Sequence, residues 1–254
     1  MGFLGLFGGG NMSDRRIDKS AKLAANPFAQ PDVRMREMQR LLADGSPAAL
    51  RGVLKRFTAN ASGHIADEDE KKWLENALVD VGEDALEPLR AFIKNEERLT
   101  YALHAYERIA GSEEAVRFYV EVMNAYGPDD HRSSDAKLQL VHALAEHMDD
   151  PRVLECLMAF VLDHADEVRT AVLDLIDTAA DKGLMKDALL MTLAEPFGTL
   201  VCDGTVGPRV QRRAAELLEK RNWAAGGTAA ELATLINDVY FLDKKRFVRK
   251  RVKK

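Results

Sequence analysis

The sequence predicts an all-α fold in which about six helix pairs stack into a solenoid, with a capping helix before them and a short basic segment after them. Three observations lead there. Apolar residues recur at helical spacing along most of the chain, as in Leu86, Leu89 and Ile93. A pattern of apolar helix, short break and second apolar helix returns again and again. No run of alternating apolar and polar residues is long enough to make a strand.

The breaks fall at Asp44-Gly45-Ser46, Gly82-Glu83, Gly111-Ser112, Asp149-Asp150, Lys182-Gly183 and Gly226-Gly227. The second helices then start near Ala49, Ala85, Ala115, Val153, Ala188 and Ala230, a spacing near 36 that ranges from 30 to 42. Gly45, Gly82, Gly111 and Gly183 are expected to take the left-handed conformation that closes a helix. Ser46-Pro47 and Asp150-Pro151 each place a capping residue before a proline at the first helical position, where its missing N–H costs nothing. One helix pair cannot bury its own apolar face, so stacking is the physical requirement behind the repetition.

Element by element, residues 1–13 are expected to be a disordered leader. Its apolar stretch Phe3–Phe7 is too short for a signal peptide or a membrane span, and Leu6 stands where a myristoylation start needs Ser or Thr. Docking of this stretch on a partner or a membrane stays open. Residues 14–25 read as the capping helix and "NPFAQP" as a bend. The solenoid proper is expected over 14–242 as a single domain, with Trp73, Ala77, Leu78 and Val81 on the buried stripe of one helix. "TANASGHIADEDEK" and "AYGPDDHRSSDAK" read as loops on one edge, either specificity elements or plain drift in repeat length. Leu235, Ile236, Val239 and Tyr240 are expected to close the last helix. Residues 243–254 form the basic cap or tail, with Phe241–Val248 short and extended against the last helices and Arg249–Lys254 as disordered charge.

The stretch "DPRVLECLMAFVLDHADEVRTAVLDLI" resembles a HEAT repeat of the bilin-lyase type. Its Asp150-Pro151 turn, apolar helix, acidic break at Asp166-Glu167 and Val168-Arg169 pair stand in the order of that family, and "PRVQRRAAELL" resembles it again. The whole chain is similar to bacterial HEAT-repeat proteins of unassigned biochemistry, through "NPFAQPDVRMREMQRLL", "VLKRFT", "DEDEKKWL" and the closing "LDKK". The resemblance covers residues 33 to 240 and implies an armadillo-like α-solenoid. It implies no particular chemistry. HEAT-type deoxyhypusine hydroxylases carry repeated His-Glu dipeptides, which are missing here, and no constellation like that of the HEAT-like DNA glycosylases is evident.

No Walker loop, dinucleotide fingerprint or nucleophile elbow is present. His142, Glu146 and His147 miss a zinc-helix spacing by one residue, since His147 points away from the face shared by the other two. Cys156 and Cys202 lie in apolar surroundings with no CxxC, as buried reduced thiols do. A non-enzyme without cofactor or metal is therefore expected, in the cytoplasm.

Charge points to partners. The last eleven residues carry eight cations: Lys244, Lys245, Arg246, Arg249, Lys250, Arg251, Lys253 and Lys254. Removing that +8 from the net −5 leaves −13 on residues 1–243, a body that repels polyanions. On the second helices, which line the concave side of a HEAT ribbon, Arg51, Lys55, Arg90 and Lys94 are expected to face outward as a mildly basic row, with Arg117 as a further candidate contact. From Arg117 and Glu121 onward, and then at Arg152, Glu155 and Asp163, that face is expected to be mixed. The leading expectation is a scaffold that binds a partner protein or peptide on this surface. The alternative is nucleic-acid or anionic-surface binding through the basic tail and the first part of the groove.

Overall fold

The computed structural model describes residues 12–185, 187–225 and 239–252. They are mostly helical, and they divide into two compact units, one up to Phe118 and one from Tyr119 onward.

In the first unit, α1 (Asp14–Ala24) packs on α2 (Pro31–Asp44) and α3 (Pro47–Leu54). Gly52 sits where α1 comes closest, since a Cβ there would meet Ala21 Cβ at 3.2 Å. Next come α4 (His64–Val81), α5 (Leu86–Asn95) and α6 (Thr100–Ala110). Helix α7 (Ser112–Tyr126) begins in this unit and runs past Phe118. First helices stack on first helices, α2 on α4 and α4 on α6, while α3 stacks on α5. The contact surface is Leu, Ala and a few aromatics, including Leu50, Leu74, Leu89 and Tyr106, all buried. Each such side chain contributes about 1.5–3 kcal/mol by leaving water.

In the second unit, α8 (Ser134–Leu144), α9 (Pro151–Ala159), α10 (Asp166–Asp181), α11 (Asp187–Met191), α12 (Ala194–Cys202) and α13 (Pro208–Arg221) follow. Helix α8 packs on α10 and α10 on α13, while the turn at 160–162 that continues α9 packs on α12. The chain then forms an antiparallel hairpin of β1 (Tyr240–Leu242) and β2 (Val248–Lys250), with β2 against α13.

The break chemistry is partly as the sequence predicts. Gly45, Gly82, Gly111 and Gly183 all have positive φ, and Gly45 takes the left-handed conformation, but Gly82 at ψ −141° and Gly111 at ψ 158° leave their helices in an extended one that only glycine adopts readily. The Ser46 hydroxyl accepts from Ala49 N at 3.3 Å, and the Asp150 carboxylate accepts from Arg152 N at 2.9 Å, each just ahead of its proline.

The three-residue strands of the hairpin are a small extended element in a chain whose described residues are mostly helical. Four expectations need correction. Tyr240 opens β1 instead of closing a helix, while Leu235 and Ile236 lie outside the described residues. Arg249 and Lys250 belong to β2 and are not loose charge. "HIADEDEK" is the first two turns of α4, and α8 likewise starts at Ser134 inside the second expected loop. The buried stripe of α4 runs Asp67, Glu70, Lys71, Leu74 and Leu78, so Trp73, Ala77 and Val81 are only half-buried. A stripe counted in apolar residues misses one whose first half is charged. The break at Gly226-Gly227, the helix start at Ala230 and the tail residues Lys253 and Lys254 lie outside the described residues.

Candidate functional site

The expected row of cations does lie on successive second helices, but most of it is already engaged. Arg51 on α3 reaches Glu87 on α5 at 3.3 Å. Arg90 on α5 is ion-paired with Glu114 on α7, donates from Nε to the Tyr106 hydroxyl at 2.8 Å, and lies over the Phe118 ring at 5.3 Å. Arg117 shares the same Glu114 carboxylate. Lys94 Nζ stands 5.4 Å from the Phe118 centroid. The row is thus a ladder of cations rung together by Glu87 and Glu114, with exposed Lys55 at its start. Asp163, expected on the mixed outer face, is instead fully buried.

Arg51 and Lys55 also line a groove between α1 and α3. Its volume is about 380 Å³, and its floor is Ile17, Ala21, Ala48 and Gly52. Asp14 and Asp18 of α1 form the opposite rim, so one edge is acidic and the other basic. Gly52 keeps the floor low.

Sequence reasoning did not find the buried charges. In the first unit, "PDVRMREM", "LKRF" and "DEDEKK" converge on one network. Arg34 grips Glu70 with two parallel bonds of 2.9 and 2.7 Å. Arg56, fully buried, donates to Glu70 at 3.1 Å, to Asp67 at 2.5 Å and to the Ala59 carbonyl at 2.8 Å. Lys71 closes the ring on Asp67 at 2.7 Å and on the Asn60 side chain at 2.9 Å. Burial pushes the Asp67 carboxyl up, but the bonds from Lys71, Ala61 N–H and Arg56 outweigh it and bring it down to about 2. Glu70 is lowered in the same way, its burial outweighed by Arg34 and Arg56.

The second unit holds a simpler assembly. Lys137 and Asp163, both fully buried, pair at 2.5 Å, and Lys137 also donates to the Gly127 carbonyl at 3.3 Å. Beside them the Ser134 hydroxyl lies 3.0 Å from His164 Nε2, while His164 Nδ1 faces the Pro128 carbonyl at 3.3 Å and Asp163 at 3.4 Å. Two oxygens facing Nδ1 call for a ring proton at that nitrogen. The order Ser–His–Asp is that of an acyl-transfer triad. Here, however, the aspartate charge is held by Lys137, and the serine hydroxyl also reaches the His131 carbonyl at 3.2 Å. The trio ties the loop before α8 to the loop before α10.

Where α10 meets α13, buried Asp177 of α10 accepts from Arg213 at 3.0 Å, Lys220 at 2.9 Å and Arg221 at 2.8 Å, all on α13. Burial raises its carboxyl, and these three cations lower it further than burial raises it.

Burial pushes the Cys156 thiol up to about 11 and raises that of Cys202 as well, which leaves both as packing groups and not nucleophiles. Among the described residues, no group of three or more metal-binding side chains is placed to hold an ion, and no helix is long and apolar enough to cross a membrane. His142 and Glu146 stand beside buried Leu144 and Met148.

The basic segment is ordered where described. The Asp243 carboxylate accepts from Lys245 N at 2.8 Å, Phe247 N at 3.0 Å and Arg249 Nε at 3.2 Å, folding the turn that carries Lys244 and Lys245. Arg246 turns the corner at φ 69°. Comparison with protein-family models, with curated proteins and with solved structures finds no match for this chain in any of the three.

Proposed function

We propose that this chain is a non-catalytic scaffold of HEAT-type helix pairs that binds a segment of a partner protein in the groove between α1 and α3. The HEAT reading is supported by how helices meet within each unit, first on first and second on second. It is supported too by cross-links one repeat apart: Arg34–Glu70, Arg51–Glu87 and Asp177–Arg213 are each separated by 36 residues, the spacing of the sequence repeat.

The groove itself carries the binding reading. It has an apolar floor, one acidic rim and one basic rim, and it includes Arg51 and Lys55 of the expected row. An amphipathic segment fits it, with acidic residues along Arg51 and Lys55, basic ones along Asp14 and Asp18, and small apolar residues between. Charge complementarity on two edges would fix the direction in which that segment lies.

The test places a photo-crosslinking residue at Ala48 in the full chain and identifies what it captures in the native cell. A discrete partner is expected, with yield falling at least tenfold in Lys55→Glu and in Asp18→Lys. A yield unchanged by both reversals, or capture of nothing above background, removes this reading. Lys55 is the informative member of the row. Reversing Arg90 or Arg117 would also break the Glu114 pairs and confound binding with folding.

A further inference from the structure

We propose that the hairpin of β1 and β2 is a second, independent site, which binds single-stranded nucleic acid through its phosphates and bases. Residues 239–252 hold six cations, Lys244, Lys245, Arg246, Arg249, Lys250 and Arg251, and one acid, Asp243. That acid is consumed inside the turn, where it accepts two backbone N–H groups and the Arg249 guanidinium. Lys244 and Lys245 are left exposed at the tip, with Lys250 and Arg251 exposed at the far end of β2.

The hairpin is a built platform. Its register pairs Tyr240 with Lys250, Phe241 with Arg249 and Leu242 with Val248. Val248 and Tyr240 are buried, and Arg249 donates to the Asn222 side chain at 2.9 Å, which anchors the platform to the end of α13. Two guanidiniums stand over rings, Arg249 Cζ 4.9 Å from the Phe247 centroid and Arg251 Cζ 5.6 Å from that of Phe241. Both rings are half-buried. A guanidinium held over an aromatic ring presents a planar cationic face, on which a nucleobase stacks while neighbouring lysines meet the flanking phosphates.

Two other anionic partners fit less well. A bilayer is a plane, and bringing the hairpin to it brings the −13 body within reach of the same negative surface. A flexible strand touches the hairpin alone. An acidic peptide offers a ring only where its sequence has an aromatic residue, whereas a nucleic-acid strand offers one beside every phosphate.

The experiment is fluorescence anisotropy of a labelled mixed-sequence single strand, RNA and DNA in parallel, titrated with the full chain. Four phosphate contacts predict an affinity falling about 50-fold between about 50 and 200 mM salt. Lys244→Glu/Lys245→Glu should weaken binding at least tenfold, with the circular-dichroism spectrum unchanged. Asp243→Ala separates a built site from loose charge. It adds one positive charge but releases the turn, and binding should weaken about threefold. Tighter binding by Asp243→Ala, no binding at about 50 mM salt, or indifference to the lysine reversals overturns the proposal. So does a preference for anionic vesicles or polyglutamate over the oligonucleotide. None of these outcomes depends on the groove between α1 and α3, whose crosslinks are read separately.

Discussion

Both units bury charge between stacked helices, yet they do so in opposite ways. Up to Phe118, three cations and two carboxylates share one network in which each acid has at least two donors: Glu70 has Arg34 and Arg56, and Asp67 has Arg56, Lys71 and the Ala61 N–H. From Tyr119 onward, fully buried Asp163 has Lys137 as its one Lys or Arg partner among the described residues, with His164 Nδ1 and the Ala165 N–H beside it and backbone carbonyls supporting the lysine. The lesson is about redundancy. Desolvating an ion costs several kcal/mol, and whether one deletion exposes that cost depends on how many partners remain.

The comparison breaks most directly at Lys137. Lys137→Met leaves Asp163 buried without its cation and should cost about 3–5 kcal/mol in urea unfolding, whereas Arg56→Met leaves both acids partnered and should cost only about 2 kcal/mol. If Arg56→Met costs as much as Lys137→Met, the network is not redundant and the contrast is void.

Acid sharpens the same contrast. The folded chain holds the Asp67 carboxyl at about 2, below its ordinary 3.8, so its contribution is complete above about pH 4. It fades as pH falls through 4 towards 2, about 2 kcal/mol in all. Asp67→Asn should flatten stability across that window, and equal acid slopes for variant and parent would show that Asp67 is not the titrating group.

The smallest effects belong to pairs whose cations are part-exposed. Asp177→Ala removes a buried carboxylate from three α13 cations and should cost about 1–2 kcal/mol, because those cations can turn to water. Arg51→Ala, from an exposed pair, should cost under about 1 kcal/mol. A thermal scan that ranks Arg51→Ala above Asp177→Ala reverses the expected dependence on burial.

Much of the helical frame was legible in the residues, because glycine breaks, Ser-Pro and Asp-Pro starts and apolar stripes act locally. The buried networks were not. Arg34, Arg56, Glu70, Lys137 and Asp163 look like surface residues in any window of sequence, and only pairing across about 14 to 36 residues shows why they can be inside. One signal was available. "RMREM", "LKRF" and "DEDEKK" carry clustered opposite charges at spacings that a stacked repeat brings together. The candidate groove was half legible. Arg51 and Lys55 could be placed on an outer face, but the acidic rim depends on where α1 lies, and no periodicity encodes that. Of the hairpin, the short extended stretch was legible but its pairing was not, because two three-residue strands carry too few residues to register a period of two.

One small contact has a mechanical meaning. Gly207, at the residue before α13, donates its N–H to Asp166, the first residue of α10, at 2.9 Å, and a methyl group at 207 would overlap that carboxylate. The start of α13 is therefore tied to the start of α10 through one short side chain, whose carboxylate occupies the space a Cβ at 207 would take. In the second unit the clasp between these two helix starts has room for a carboxylate or for a methyl group, and not for both. A single methyl there would displace the Asp166 carboxylate and open the clasp.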